Sequence, residues 1–168
     1  MANVTSYSQL LIELQKVRDK ALEGTGEKAK ELVKDRIDKD VYDVYSPTDY
    51  IRTNDLRESV QPSKVKSNGN VAEVTIGHDI NLIRSTGNQH RSIADDSSSV
   101  DSIAEIVHNG KVGAIYQSGY WRDAPWYDDS DAFANSRPYM DNAKEEMENG
   151  KYRDFMVEEL EKQGIKVK

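Results

Sequence analysis

Apolar residues recur at helical spacing from the start of the chain. Tyr7, Leu10, Leu11, Leu14, Val17 and Ala21 recur on one helical face, and Ser6 and Gln9 form an S-x-x-Q capping box. A first helix is therefore expected from Ser6. It should end at Gly24 and Gly26, because two glycines so close favour a break; one long helix kinked at "EGTGE" is the alternative. A second amphipathic stretch begins near Glu27, with Ala29, Leu32, Val33, Ile37, Val41 and Val44 on one face. Ser46-Pro47 stops it, since the residue before a proline is pushed out of the helical region.

The pattern then changes. "ESVQPSKVKS" reads as a weak strand whose Pro62 confines it to a sheet edge or a bulge. "NVAEVTIGHD" reads as a strong one, with Val71, Val74 and Ile76 apolar and Asn68-Gly69 ahead of them as a hairpin turn. Residues 78–101 have no period and are rich in Ser, Asp, Asn and Gly, the mark of a long exposed loop. "SIAEIVHNG" reads as a short helix or a strand end, and "KVGAIYQSGYW" as a further strand before the loop "YWRDAPWYDDSDAFANS". Ser136 is expected to cap a helix with Arg137 and Pro138 in its first turn, along which Tyr139, Ala143 and Met147 repeat until Gly150. Tyr152, Phe155, Met156 and Leu160 mark a last short helix, stopped by Gly164.

Helices at both ends of a run of strands predict an α+β fold. It consists of N-terminal amphipathic helices over about 6–45 and a central antiparallel sheet with long loops over about 57–135. C-terminal helices over about 136–163 pack on the sheet, all in a single domain, 1–168.

Composition narrows the function. Apolar residues make up 36% and charged residues 32%, and mean hydropathy is -0.80. No apolar run is long enough to span a membrane, no apolar signal core follows basic residues, and cysteine is absent. The last point excludes disulfides and thiolate metal sites and suits a reducing cytoplasm. Of the net charge of -7, residues 1–40 contribute nothing, with eight basic and eight acidic side chains. Residues 120–163 carry six basic and twelve acidic ones. Such a surface gains nothing from counterion release, so tight DNA binding is not expected, although DNA could pass it without sticking.

Reactive chemistry is sparse. His78, His90 and His108 all lie near loops, without the spacing that brings metal ligands together, and read as solvated side chains. "WYDDSDAF" (Asp128, Asp129, Asp131) resembles half a calcium loop but lacks the turn glycine and the bidentate glutamate. There is no G-x-S-x-G, P-loop or G-x-G-x-x-G, and pairs such as Glu145-Glu146 and Glu158-Glu159 sit in solvated helical charge runs. The expectation is a protein that is not an enzyme, with no catalytic residue, metal or cofactor. A metal-dependent hydrolase built on His78, His90 or His108 with the loop aspartates is the distant alternative. Tyr120, Trp121, Trp126 and Tyr127 stand apart, because four large aromatics in a polar loop either pin it to the core or anchor a partner.

The motifs also have an order. A helical N-terminal region runs into "YSPTDYIRTNDLRESV", then a strand ending in glycine, then "IAEIVHNG", then "SRPYMDNAKEEM". This series resembles the tail-completion, neck or head–tail connector proteins of long-tailed bacteriophages, the group that includes minor tail protein Z of phage lambda. Members typically show a proline after the helix and a Thr-Gly-x-Leu-Arg-x-Ser stretch, then a Val-Glu-x-Gly-Thr element and an Arg-Pro-Phe helix start. Pro47 with Thr53, Leu56, Arg57 and Ser59 matches the first of these. Ile106, Val107 and Gly110 match the second, and Arg137, Pro138 and Tyr139 the third. Asn54 replaces the usual glycine, His108 a glutamate and Lys111 a threonine, and 78–101 looks like an insertion.

The resemblance implies a virion protein, made in the host cytoplasm. It would form a ring at the head–tail joint or tail top that completes the tail and lets DNA pass. Its partners would be copies of itself and neighbouring head-closure, tail-terminator or tail-tube proteins, with no membrane. Thr53-Asn54-Asp55 reads as a tight turn, with Leu56 anchoring it to the core. Arg57 can reach a carboxylate or a helix C-terminus. The resemblance would further set Arg57 and Arg137 at contacts between subunits. The rival from another class is a monomeric or dimeric adaptor that binds a protein through its 120–127 aromatic loop.

Overall fold

A computed structural model of the chain describes residues 6–44, 54–82, 104, 107–108 and 136–167. The 111–121 strand, most of the 78–101 loop and the 120–127 aromatic segment fall outside these residues. So do Pro47, Thr53, His90, Ile106 and Gly110.

The first element, α1, runs unbroken over Tyr7–Ile37. Ser6 starts it as the pattern predicts, its Oγ accepting from the Gln9 amide at 3.2 Å. The expected break at Gly24 and Gly26 does not occur. Each glycine costs roughly 1 kcal/mol of helix propensity, and here the missing side chains admit neighbours. A Cβ on Gly24 would collide with the side chain of Glu159, and one on Gly26 would lie 3.0 Å from Val74 Cγ2. Close packing outweighs propensity. Lys34 and Arg36 face the carbonyl end of the helix dipole. A π-helical segment, Asp38–Tyr42, then carries the chain out of the helix, closed by Asp43 N donating to Asp38 O at 2.8 Å.

Further along come a short helix α2 (Asp55–Glu58) and strands β1 (Val60–Pro62), β2 (Lys66–Asn68), β3 (Val71–Glu73) and β4 (Ile76–His78). Pro62 ends β1, where it interrupts no interior ladder. β1 and β4 pair in one two-stranded sheet. The pairing is antiparallel, because Asp79 N donates to Ser59 O and Ser63 N to Thr75 O. β2 and β3 form a hairpin in the register Lys66↔Glu73, Ser67↔Ala72, Asn68↔Val71. Its two-residue loop is thus Gly69-Asn70, one position later than the sequence suggests, with Gly69 at φ 57.

After a 3-10 turn (Ile80–Leu82), the described residues resume with Ala104, Val107 and His108. All three are helical, which resolves the "SIAEIVHNG" alternative at these positions. Helix α3 (Tyr139–Glu146) passes through a second π-type segment, Met147–Lys151, into α4 (Tyr152–Lys162). Gly150 marks the break with φ 122, a conformation open mainly to glycine. The expected cap at Ser136 does not form. Its Oγ donates to His108 O at 2.7 Å instead, and the helix begins at Tyr139, with Asn142 N donating to Pro138 O at 2.9 Å. The whole is α+β, as the hydrophobic pattern predicts.

The chain divides into two compact units. The first takes Met1–Leu32, Gln61–Gly77 and Lys144–Lys168. Its core holds Ala21, Leu22, Thr25 and Ala29 of α1. α4 lies antiparallel against that helix: Lys28 Nζ sits 5.6 Å from the Phe155 ring centre, Thr25 Oγ1 reaches Met156 Sδ at 3.6 Å, and Gln163 Nε2 donates to Val17 O at 3.1 Å. Lys28 also pairs with Glu158 at 2.5 Å and Glu159 at 3.1 Å. On the other flank Gln15 and Arg18 donate to Gly69 O, holding the hairpin turn to α1.

The second unit takes Val33–Val60 and His78–Ala143. Val33, Ile37, Val41, Leu56, Val60, Ala104, Val107, Tyr139 and Ala143 are buried there. Each larger aliphatic contributes about 1.5–3 kcal/mol by leaving water.

Candidate functional site

The chemistry-bearing side chains of the described residues gather in the second unit. Their framework begins at Asn54, which adopts φ 61, ψ 11, the left-handed conformation. Glycine is the usual residue there, and asparagine is among the few others that tolerate it. This turn starts α2, buries Leu56 and aims Arg57 back at the end of α1. Arg57 Nε donates to Asp38 at 3.0 Å and Nη1 to Glu58 at 2.9 Å. The carboxylate of Asp38 raises the Arg57 pKa, and the bond to Arg57 lowers that of Glu58. Lys34 lies 3.4 Å from Glu58. Two residues along the same π segment Asp40 accepts from Asn142 Nδ2 at 2.8 Å, so one turn grips both α2 and α3.

Behind this lattice lies a buried polar chain. Ser59 Oγ sits 2.8 Å from Leu56 O and 2.7 Å from His78 Nδ1. His78 Nε2 sits 2.8 Å from Tyr139 Oη, which in turn lies 3.2 Å from Ala104 O. Ser59 is 0% and Tyr139 1% exposed. Burial, then the neighbouring His108, lowers the pKa of His78, and burial raises that of Tyr139 well above its ordinary value. A neutral imidazole with two hydroxyls supplies three protons for these four contacts. Ser59 Oγ donates to Leu56 O and Tyr139 Oη to Ala104 O, and the tautomer of the ring sets which of its nitrogens donates to the hydroxyl beside it.

His108 completes the cluster from the 104–108 stretch. Its ring meets Tyr139 edge-on at 5.4 Å, as that of His78 does at 5.7 Å, and its Nε2 lies 3.3 Å from Asp141. Arg137 N donates to Val107 O at 3.1 Å, tying the start of α3 to the same stretch.

Ser59 and His78 have the spacing of a nucleophile and its base. Yet Ser59 is fully buried, and the third group is a tyrosine hydroxyl rather than a carboxylate. The arrangement therefore works as a staple that joins α2, β4, the 104–108 stretch and α3. No group of three or more potential metal ligands occurs among the described residues.

Of the sequence-predicted residues, Asn54, Leu56, Arg57, Val107, Arg137, Pro138 and Tyr139 all belong to this one unit. Leu56, Val107 and Tyr139 are its core, and Arg57 is engaged within the chain. Thr53, Gly110, Tyr120, Trp121, Trp126 and Tyr127 lie outside the described residues. The reading of His78 and His108 as solvated is corrected: both are half-buried against Tyr139. One signal was available for His78. It alternates with Ile76 along β4, so it shares that residue's face.

Fold and cluster together define an α+β protein with a buried Ser59–His78–Tyr139 polar chain. No helix among the described residues is long and apolar enough to cross a membrane. The chain belongs to the YomN family, whose model matches residues 6–162. That name is phage-derived, and the protein is phage-associated. No curated protein and no solved structure matches the chain.

Proposed function

We propose that this chain is a non-enzymatic structural protein of a tailed-phage virion. It acts at the head–tail joint or tail top, where copies form a ring that meets head-closure, tail-terminator or tail-tube proteins. One observation carries the reading. The first turns of α1 present Tyr7, Leu10, Leu11 and Leu14 on one face at 76%, 42%, 39% and 49% exposure. A contiguous apolar face of this kind on an ordered helix is a surface made to be covered. Family membership supports the phage setting, and the ordered tail-completion motifs support the neck. The net charge of -7 suits a wall past which DNA moves without being bound.

The test is a binding experiment with isolated tails, read by sedimentation. The wild-type chain is expected to travel with the tails, and the double variant Leu10→Glu, Leu14→Glu to stay behind while keeping its helical circular dichroism. A folded wild-type chain that ignores both tails and filled heads would remove the connector reading.

A further inference from the structure

The uncovered stripe of α1 has a geometric context that says what fits it. Tyr7, Leu10, Leu11 and Leu14 follow the i, i+3, i+4, i+7 spacing of one helix face. Continued down the helix, that face becomes the buried one: Ala21, Leu22, Thr25 and Ala29. Over its lower part it is covered by α4, which runs antiparallel to α1. Thr25 meets Met156, Gly24 faces Glu159, and Val17 meets Gln163 just past the end of α4. Among the described residues the cover stops there and the stripe begins. Its natural occupant is a helix that continues the line of α4, antiparallel to α1.

We infer that the occupant is the same segment of a second copy. When two α1 N-termini pair antiparallel about a two-fold axis, Tyr7 of one copy meets Leu14 of the other, and Leu10 meets Leu11. Each partner helix then starts where α4 ends and points the way α4 points. The contact extends an interface that the fold already contains. Charge favours the same place. A chain of net charge -7 repels its copies. Residues 6–16, however, carry only Glu13 and Lys16, which neutralise one another at 2.8 Å.

The inference rests on the reading of the stripe as an assembly surface and names its partner. The contact is isologous and closes at two copies, so the head-to-tail contact that a ring needs lies elsewhere on the chain. About three turns of helix, roughly 15 Å long, bury less than the ~800 Å² a side of a standard interface. Pairing is therefore expected at about 10–500 μM rather than at nanomolar concentration.

Sedimentation velocity across that range should show a dimer that grows with concentration and is lost in Leu10→Glu, Leu14→Glu. The chain has no cysteine, so single substitutions report register. Leu11→Cys should cross-link to itself under mild oxidation. Tyr7→Cys should not, but it should link when mixed with Leu14→Cys. A wild-type chain that stays monomeric throughout overturns the inference, as does self-linking of Tyr7→Cys, which marks a parallel pair. If the monomer still sediments with tails in a Leu10- and Leu14-dependent way, the second copy is excluded while the assembly reading stands. If it does neither, both fail.

Discussion

At the scale of single residues, two positions hold the second unit in shape for different reasons. Asn54 is there for its backbone. Held at φ 61, Asn54→Ala should cost about 1–2 kcal/mol, whereas Asn54→Gly should stay within about 0.5 kcal/mol. Urea denaturation midpoints compare the two. His78 is there for both its nitrogens. Tyr139→Phe keeps the ring packing but strands Nε2, and should cost about 1–3 kcal/mol.

The pH response follows from the same residue. The folded pKa of His78 lies below its ordinary 6.5, so the unfolded chain binds the proton more readily. The contribution of the neutral His78 is fully present above about pH 6.5 and is lost as pH falls through its lowered folded pKa. Melting temperatures from pH 8 to pH 5 should show this decline, and His78→Gln should flatten it. The bond from Arg57 to Glu58 acts separately, because that carboxyl has its pKa lowered from 4.5 and its contribution is lost only in stronger acid. Asn54 and Leu56 were legible in the sequence, since a left-handed turn and an apolar anchor are local matters. The staple was not: His78 and Tyr139 are separated by 61 positions, and no local pattern announces such a contact.

At the scale of elements, α1 shows where propensity reasoning fails. Two glycines within three residues argue for a break, but they lie where α4 and Val74 come closest. At Gly26 the missing side chain is what lets Val74 pack this close, whereas at Gly24 the neighbour is the movable end of Glu159. Gly26→Leu should therefore lower stability by about 1–3 kcal/mol through overpacking, despite the better helix former. Guanidinium denaturation with an unchanged m-value would confirm it; a stabilised variant would show that Gly26 is only tolerated. The lower part of the apolar face of α1 was read correctly over Ala29, Val33 and Ile37, and on into the π segment at Val41, but Val44, assigned to the same face, is exposed. The upper part carries the same signal and stays exposed. Periodicity reports that a face is apolar. It says nothing of whether the same chain supplies the cover.

At the scale of the whole molecule, the acidic excess and the apolar stripe belong to different segments of the sequence. The acidic excess lies in 120–163, and the uncovered stripe lies in a neutral segment. If copies meet through α1, raising salt should strengthen their association. Screening shortens the reach of like-charge repulsion from about 10 Å at 0.1 M to about 3 Å at 1 M and leaves an apolar contact intact. Light scattering at fixed protein concentration checks the sign. Weaker association at high salt would mean that ion pairs hold the copies together.

Both units are also discontinuous in the chain: one needs Lys144–Lys168 to cover α1, and the other needs Tyr139 to close its staple. During synthesis, then, neither can finish folding until the residues beyond 138 have left the ribosome. Until that moment the part of the apolar face of α1 that α4 covers stays open. The growing chain has to pass its most aggregation-prone stage before the step that ends it.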